Sequence, residues 1–358
     1  MRIGVDCRIA HYTWGGTAVY TRRLVEAMAP QARSDELVLF EAARATRPLA
    51  AGAGARRKRL FTPSHHRWEQ ALLPLELLPH ALHVLHSTDY IPPFVRRCRS
   101  VITVHDLAFL RWPEHLTPES RAYFNGHIRR ATRSADAIIA VSQATKADLV
   151  ELLGVPAAKI SVVYEAAGLE LPEDAGESSR WREAAGVPEE YVLFVGTLEP
   201  RKNLVRLIEA FADVRRRGYG GWLLLAGSPG WNAEPILEAV RAHADCVRTC
   251  ELDARLYAGA SALAIPSLYE GFGLPLLEAM AGGVPVLTSN VSSLPEIAGD
   301  AALLVEPQDV EAIADGLERL VTDADLARSL AAKGKARAAE FSWERAAAET
   351  LRVYHSLA

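Results

Sequence analysis

The chain has 358 residues, of which 49% are apolar and 23% charged, and its formal net charge is −4. This ordinary composition predicts a soluble protein of about two domains and gives no sign of a nucleic-acid partner. No apolar run approaches the roughly 18 residues that a membrane-spanning helix needs. Because a strand-like segment begins at Arg2, with no signal peptide before it, we expect a cytoplasmic protein.

The sequence shows no pattern of metal-binding or disulfide-forming residues. Its cysteines are scattered and lack CxxC spacing: Cys7, Cys98, Cys246 and Cys250. Asp323 and Asp325 lie at an alanine-rich helix junction, where surface charge is the better interpretation. We therefore predict neither a metal site nor a disulfide framework, and we interpret the thiols as bystanders.

Charge is unevenly distributed along the chain. Residues 1–168 contain 22 Lys and Arg against 15 Asp and Glu, a net of +7, so the remainder has a net of −11. A basic N-terminal half suggests contact with something anionic, such as the inner face of a membrane or a phosphorylated acceptor. A solvated, arginine-rich face explains the same skew, and composition alone does not choose between the two.

Short apolar runs alternate with helical patterns along the chain. In the first half the predicted strands are Arg2–Asp6, Glu36–Phe40, His83–His86, Val101–Val104, Ala137–Val141 and Ile160–Val163. In the second half they are Tyr191–Val195, Trp222–Ala226, Ala262–Ile265, Val284–Leu287 and Ala302–Val305. Apolar strands that alternate with helices, such as the one predicted over Thr17–Ala29, are typical of parallel sheets covered on both faces.

The polar stretch Gly168–Gly186 interrupts this alternation, which then starts afresh. The sequence therefore predicts an α/β protein of two Rossmann-like domains, whose parallel sheets face each other across a cleft. We assign residues 1–168 to an N-terminal and 169–341 to a C-terminal domain. Residues 342–358 form a final helix that we expect to pack back on the N-terminal domain. Residues 50–59 are predicted to be a mobile loop that ends in four basic residues.

The most informative segment runs from Glu270 to Glu278, after the predicted strand Ala262–Ile265. Its glycines, Gly271 and Gly273, remove side chains where backbone N–H groups meet the start of a helix, so an anion can be cradled there. Two carboxylates beside such a site favour a ligand that also carries hydroxyl groups, because an ionised carboxylate only accepts hydrogen bonds. A phosphate joined to a polyol describes a sugar nucleotide.

Two adjacent cations, Arg201 and Lys202, follow the predicted strand Tyr191–Val195 and Gly196. We place them at the beginning of a helix, where the macrodipole disfavours positive charge. A diphosphate ligand explains the placement, since a guanidinium fork and a mobile ammonium together can neutralise a departing nucleotide. The alternative is a pair of solvated surface cations, which the strand-to-helix context makes less attractive.

Two weaker signals lie in the first half. Gly15 and Gly16 occupy a strand-to-helix turn, where glycine lets a ligand approach the backbone closely. His105 and Asp106 close the predicted strand Val101–Val104, at the edge where open α/β sheets bind ligands. A turn and a structural histidine explain the same residues equally well.

Together these motifs resemble glycosyltransferase family 4, the retaining enzymes of the GT-B fold, over nearly the full chain. The Glu-x7-Glu segment is the most specific motif, and Val104–Leu107 and Ser293–Asp300 add to it. Trp68–Gln70 and Leu85–Ser87 are similar to a subgroup rich in bacterial mannosyltransferases of polysaccharide and lipid-linked glycan assembly.

The resemblance implies roles for the residues of the second half. Arg201 and Lys202 would bind the donor diphosphate and stabilise it as leaving group. Glu270 would hold hydroxyls of the donor sugar, and Glu278 the ribose diol. The sugar and phosphates would be lined by backbone at Gly196, Gly271, Phe272, Gly273 and Leu274. GDP-mannose is favoured as donor over UDP- or dTDP-sugars.

On the acceptor side, the resemblance places Gly15 and Gly16 beside the diphosphate and acceptor. His105 would lie close to the reacting anomeric carbon, with Asp106 next to it. A glycan or lipid-linked acceptor would attack from the leaving-group face and pass its proton to the phosphate, so that neither a protein base nor a metal is required.

The chain departs from the family pattern at Cys246–Asp253, which is shorter than the usual base-pocket loop and lacks its glycine. The donor base is therefore open. Two other functions are open as well: a GT-B phosphorylase or synthase that uses a sugar phosphate or storage glucan, and a sugar-nucleotide-binding protein without turnover. The family motifs and modest length disfavour the first, and the intact Glu270, Glu278, Arg201 and Lys202 disfavour the second.

Overall fold

The computed structural model describes residues 1–11, 15–45, 49, 54–113, 118–169 and 175–358. The chain divides into two compact units, which we call unit 1 and unit 2. Within the described ranges, unit 1 comprises residues 1–113, 118–166 and 342–358, and unit 2 comprises residues 167–341. None of the helices in the described ranges is long and apolar enough to cross a membrane.

Unit 1 contains a seven-stranded parallel sheet. Its strands are β1 (Arg2–Asp6), β2 (Glu36–Ala42), β3 (Ala55–Leu60), β4 (Val84–Ser87), β5 (Arg99–Val104), β6 (Ala137–Ala140) and β7 (Ile160–Val162). Its first helices are α1 (Gly16–Met28), α2 (Glu69–Leu77), α3 (Ala108–Arg111), α4 (Pro118–Ser134) and α5 (Gln143–Leu153). The strand order β3-β2-β1-β4-β5-β6-β7 reverses direction between β1 and β4. In doubly wound sheets, ligands bind at the carboxyl ends of the strands beside that reversal.

Strand β3 corrects the prediction of a mobile loop over residues 50–59. Residues Ala55–Leu60 pair in parallel register with Leu37–Ala42 of β2, so the four basic residues belong to a strand. The sequence hides this strand because consecutive cations show no apolar alternation. An edge strand tolerates them, since exposed charge there discourages pairing with other chains. Residues 50–53 of the predicted loop lie outside the described ranges.

Unit 2 contains a six-stranded parallel sheet with the order β10-β9-β8-β11-β12-β13. Its strands are β8 (Tyr191–Val195), β9 (Trp222–Ala226), β10 (Val247–Cys250), β11 (Ala262–Ile265), β12 (Val286–Ser289) and β13 (Leu303–Val305). Its helices are α6 (Ala175–Ala184), α7 (Leu204–Arg216), α8 (Glu234–Ala242), α9 (Leu274–Ala281), α10 (Leu294–Ala298), α11 (Val310–Thr322) and α12 (Ala324–Ala338). Here the order reverses between β8 and β11, the two strands that precede the predicted donor motifs.

The main core of unit 2 lies on one face of this sheet. Alternate residues of β8, such as Val192 and Phe194, pack with α7 and α11 and are fully buried. Fully burying a side chain of this size stabilises the fold by about 1.5–3 kcal/mol relative to exposing it. The sheet is therefore a rigid base for the loops at its carboxyl edge.

The final helix, α13 (Trp343–His355), belongs to unit 1 and packs against α1. Its Tyr354 is fully buried, and the hydroxyl lies 2.6 Å from Nδ1 of His86 on β4. Nε2 of His86 lies 2.8 Å from the Thr103 hydroxyl on β5. Burial lowers the pKa of His86 to about 3. The imidazole is therefore neutral at physiological pH and connects the last helix to the centre of the sheet.

The lowered pKa of His86 predicts a pH-dependent stability. Between its folded pKa of about 3 and its ordinary value of 6.5, the unfolded chain binds the proton more readily. The free energy of unfolding then falls with decreasing pH, by at most about 1.4 kcal/mol per unit from this group. His86→Gln should flatten the dependence of the melting temperature on pH within that window. The same substitution at exposed His66 should leave the slope unchanged, and equal slopes for both variants would contradict the assignment.

Candidate functional site

The ends of β8 and β11 form the framework of the predicted donor site. After β8, Gly196 has φ +149°, and a Cβ on Gly227 would lie 2.0 Å from the Gly196 carbonyl oxygen. Gly227 follows β9, and only glycine permits so close an approach of the ends of β8 and β9. The side-chain amide of Asn203 donates to the carbonyl oxygens of Pro266 (3.0 Å) and Pro307 (2.6 Å). This amide joins the loop after β8 to those after β11 and β13.

Arg201 and Lys202 are brought into direct contact with Glu270. The Lys202 ammonium lies 2.6 and 2.9 Å from the two carboxylate oxygens, and the Arg201 guanidinium lies 3.2 Å from one of them. Arg201 also bonds Glu199 at 2.7 Å. The side chains of Arg201 and Lys202 are only 20% and 12% exposed, so they are not solvated surface cations.

The structure corrects the placement of these cations at the beginning of a helix. They lie in a 3-10 turn, Pro200–Lys202, and α7 begins later, at Leu204. Their charge is compensated by Glu199 and Glu270 rather than opposed by a helix dipole. The geometry therefore gives a stronger reason for a functional interpretation than the sequence did: cations held by carboxylates at the edge of a sheet.

Glu270 is buried, and the Ser267 hydroxyl donates to it at 2.7 Å. Burial alone would raise the pKa of this carboxyl, but the charges of Lys202 and Arg201 outweigh it and hold the pKa below its ordinary value. Glu270 is therefore ionised at neutral pH. It is suited to accept hydrogen bonds and unsuited to donate a proton.

Two serines after β12 hold the backbone of the segment that begins at Glu270. The Ser292 hydroxyl accepts from the Glu270 amide at 2.9 Å. The Ser293 hydroxyl lies 2.9 Å from the carbonyl oxygen of Glu270 and 3.0 Å from that of Phe272. Sequence analysis gave these serines no role in the site. The only available signal was the Ser-Ser pair before the Leu-Pro-Glu helix start.

The chain then enters α9 through Gly273, which has φ +110°. A Cβ there would lie 3.1 Å from Cδ2 of Leu294 and would require a conformation that is unfavourable for other residues. The preceding Gly271 and Phe272 are buried, as is Leu274, the first residue of α9. The backbone of these residues therefore lies between Glu270 and the N-terminus of α9, as expected from the glycines of the segment.

Glu278 lies in the second turn of α9 and is also buried. Its carboxylate accepts a hydrogen bond of 2.7 Å from Tyr257, a residue that sequence analysis missed. Burial, together with the charge of Glu278, raises the pKa of Tyr257 well above its ordinary value. The phenol therefore remains a hydrogen-bond donor that orients Glu278.

The segment Cys246–Asp253, which differs from the family's base-pocket loop, forms the edge strand β10 and a short link. The Asp253 carboxylate accepts from the backbone of Arg255 at 2.9 Å and caps the following 3-10 helix, Ala254–Gly259. That helix carries Tyr257. The segment lacks the family's glycine but still leads directly to the tyrosine that contacts Glu278.

In unit 1, His105 follows β5 and lies between two acceptors. Its ring nitrogens are 3.2 Å from the Glu165 carboxylate and 2.9 Å from the carbonyl oxygen of Thr88, and Tyr20 packs edge-on at 4.8 Å. Burial alone would lower the pKa of His105, but the bond to Glu165 and its charge raise it above the ordinary value. The neighbouring Asp106 accepts from the Ala108 amide at 3.0 Å, at the start of α3.

Gly15 and Gly16 are exposed at the start of α1, also in unit 1. Gly15 has φ −79°, which any residue adopts, and no atom of the described residues would lie within 4 Å of a Cβ there. Its backbone conformation therefore does not require glycine.

A second buried polar cluster lies at the ends of β1 and β4. Arg8 is 1% exposed and bonds Asp6 at 2.6 Å and Glu69 at 2.7 Å. His65 and Asp89 pair beside it at 2.5 Å. Glu69 belongs to the Trp68–Gln70 motif, and its burial against Arg8 shows that this member of the motif fixes α2 to β1.

The serine contacts predict a measurable effect on stability. Ser293→Ala should remove the buried hydroxyl that bonds the carbonyl oxygens of Glu270 and Phe272, and lower the free energy of unfolding by about 1–3 kcal/mol. We expect a lower melting temperature and weaker nucleotide-sugar binding, because the Glu270–Phe272 backbone loses its support. Ser356→Ala, at the exposed end of α13, is the control. A melting temperature equal to that of the control would contradict the role of Ser293.

Comparison with known proteins identifies the family. Residues 14–170 match the model "Glycosyltransferase Family 4", and residues 177–337 match "Glycosyl transferases group 1". The chain is 32% identical to the O-antigen chain mannosyltransferase B of Escherichia coli, over 84% of this chain and 79% of that protein. It is 31% identical to the serotype-specific mannosyltransferase WbdA of Escherichia coli, over 72% of this chain but only 34% of that protein.

Solved structures agree in fold. A sucrose-phosphate synthase from Thermosynechococcus elongatus superposes with a TM-score of 0.80 at 24% identity, over 100% of this chain and 99% of that one. HepE of Anabaena, solved with UDP and glucose, gives 0.78 at 18% identity, over 99% and 100%. These likenesses confirm the predicted GT-B fold. With the E. coli relative, they show that the chain belongs to glycosyltransferase family 4 and is a glycosyltransferase.

Proposed function

We propose that this glycosyltransferase moves a hexose, with mannose as first choice, from a nucleotide diphosphate sugar to a glycan or lipid-linked acceptor. The reaction retains the anomeric configuration and needs no metal. The observation that carries the proposal is the contact of Arg201 and Lys202 with Glu270 at the carboxyl edge of the unit 2 sheet. Mannose is preferred because relatives from Escherichia coli are named mannosyltransferases.

Lys202 is placed to bind the donor diphosphate without first losing its partner. An ammonium has three N–H donors, and the contacts with Glu270 occupy its two carboxylate oxygens. The third donor can reach a phosphate oxygen while the pair persists. Because the Lys202 side chain is largely buried, water screens its charge less than that of an exposed lysine. The ammonium can therefore stabilise the negative charge that develops on the leaving diphosphate.

Arg201 complements this role with a planar fork. Its guanidinium also donates to the carbonyl oxygen of Tyr269 at 3.1 Å, so its orientation is set before the donor arrives. A group that is already oriented costs no reorganisation at the moment of reaction. Arg201 and Lys202 thus form a fixed electrostatic site for the diphosphate.

The carboxylates select the other two parts of the donor. Glu270, ionised and held by Lys202, accepts hydrogen bonds from hydroxyls of the transferred sugar. Glu278, oriented by Tyr257, accepts from the ribose diol. Because the lowered pKa of Glu270 makes its carboxylate a weak base, the acceptor proton passes to the leaving phosphate instead.

In unit 1, we propose that the acceptor binds beside Gly15, Gly16 and His105, with Asp106 shaping the loop. The bond of His105 to Thr88 fixes the ring and leaves its position set by the sheet. We also propose that the basic half of the chain contacts an anionic membrane, which would bring a lipid-linked acceptor to the enzyme. A sugar-nucleotide-binding protein without turnover would use the same cations to bind the diphosphate, so release of nucleoside diphosphate distinguishes the two functions.

Removal of the Lys202 ammonium tests the mechanism. Lys202→Ala should lower kcat/KM by about 10²–10³-fold, equivalent to roughly 3–4 kcal/mol of transition-state stabilisation. The measurement is release of nucleoside diphosphate from the sugar nucleotide. Lys333→Ala, which removes an exposed lysine of the same unit, should leave the rate within about twofold. Equal turnover of Lys202→Ala and wild type would refute the role of Lys202.

A donor panel tests the substrate. GDP-mannose at about 100 times its dissociation constant should stabilise the fold by about 2.7 kcal/mol. A rise in melting temperature of roughly 5–10 °C would follow for a domain of this size. UDP-, dTDP- and ADP-sugars should give smaller shifts, and EDTA should change none of them. A larger shift with a UDP-sugar would contradict GDP-mannose as the donor. Loss of the shift in EDTA would contradict metal independence.

A further inference from the structure

Exposed apolar side chains are concentrated in one short segment of unit 1. Of the ten large apolar residues that are conspicuously exposed in the described part of the chain, five fall between residues 61 and 78. They are Phe61 (82%), Leu75 (65%), Trp68 (53%), Leu78 (53%) and Leu72 (46%). Single exposed apolar residues are normal on soluble proteins, but a cluster marks an interaction surface.

Helix α2 is apolar on two sides. Leu73 is fully buried, and Leu77 packs with it against a core that includes Phe40 of β2 and Leu60 of β3. Leu72 and Leu75, three residues apart, lie on the other side and remain exposed, which continues the stripe begun by Trp68. The outward stripe contributes nothing to the core, so the fold does not explain it.

Four cations lie beside this stripe. Arg56, Arg57, Lys58 and Arg59 of β3 are all exposed on the edge of the sheet. The Glu76 carboxylate of α2 accepts from the amides of Phe61 (2.8 Å) and Thr62 (3.0 Å), directly after β3. The basic strand and the apolar helix are therefore fastened together. We call Phe61, Trp68, Leu72 and Leu75 with these four cations the α2–β3 surface.

We propose that the α2–β3 surface docks on an anionic lipid bilayer. The cations would meet headgroups, while Trp68, Leu72, Leu75 and Phe61 would enter the boundary between headgroups and acyl chains, where tryptophan is favoured. Discouragement of edge pairing explains the cations but not the apolar side chains next to them. A second copy of this chain fits less well, since a two-fold interface would bring two sets of four cations together.

The inference rests on the proposed function in one respect only, because a lipid-linked acceptor gives the docking its purpose. It adds the residues that make the contact and its orientation, with α2 and the edge of the sheet against the membrane. Vesicle binding needs neither donor nor acceptor. The membrane docking and the proposed glycosyl transfer can therefore fail separately.

The test is co-sedimentation of the full chain with vesicles of phosphatidylcholine, with or without phosphatidylglycerol. Leu72→Gln/Leu75→Gln removes apolar contacts, and Arg57→Gln/Lys58→Gln removes two cations. Wild type should bind the anionic vesicles, and neutralising two cations should weaken this by about thirtyfold. The leucine variant should lose at least about tenfold. High salt should reduce the difference between wild type and the cation variant, because it screens charges and not apolar contacts.

Matched controls carry equal changes on unit 2: Leu252→Gln/Leu304→Gln and Arg216→Gln/Arg328→Gln. These pairs are exposed to comparable degrees and should bind vesicles as wild type does. Unchanged binding of both α2–β3 variants, or equal losses in the controls, would overturn the proposal. So would a wild-type dimer that the leucine variant abolishes without any vesicle binding. Donor hydrolysis should persist in every variant, and its absence from wild type would count against the proposed function alone.

Discussion

The ion pair between Lys202 and Glu270 is the interaction around which the proposed donor site is built. Burying two charges costs several kcal/mol per ion, and apolar residues of similar volume often stabilise a fold as well or better. Stability is therefore a poor reason for placing a lysine and a glutamate here. Preorganised charge is a better reason, since cations that are already oriented and largely buried interact strongly with a developing anion. The Ser267 hydroxyl and Arg201 complete the pair.

This arrangement depends on parallel sheet topology. The order of strands reverses between β8 and β11, so the loops that follow them meet at one edge although they are about seventy residues apart in sequence. Asn203 links these loops through the carbonyl groups of Pro266 and Pro307. Because β8 and β11 are fully buried, they hold the loops that follow them in fixed positions.

Sequence reasoning predicted the buried strands well, because a short, continuous apolar run between two helical patterns is typical of a strand covered on both faces. It missed β3, whose consecutive cations resemble a loop. It singled out the charged residues Arg201, Lys202 and Glu270, which the structure brings together, since charges beside glycines are conspicuous. It named Ser293 only as part of a family motif and gave Tyr257 no role, because a buried tyrosine or serine looks like any other core residue until its hydrogen-bond partner is known.

The same limit applies to the uneven charge of the chain. An excess of cations in residues 1–168 is compatible with a solvated face or with an anionic partner, and the two differ in what lies next to the charge. A solvated face should be surrounded by polar side chains. At β3, Arg56 pairs with Glu36, but the strand is followed directly by exposed Phe61. Glu76 attaches to this end of the strand the helix that carries exposed Leu72 and Leu75. Exposed apolar side chains are unfavourable in water, and together with cations they suit a lipid headgroup boundary, so the fold adds to the charge skew a reason for the proposed docking.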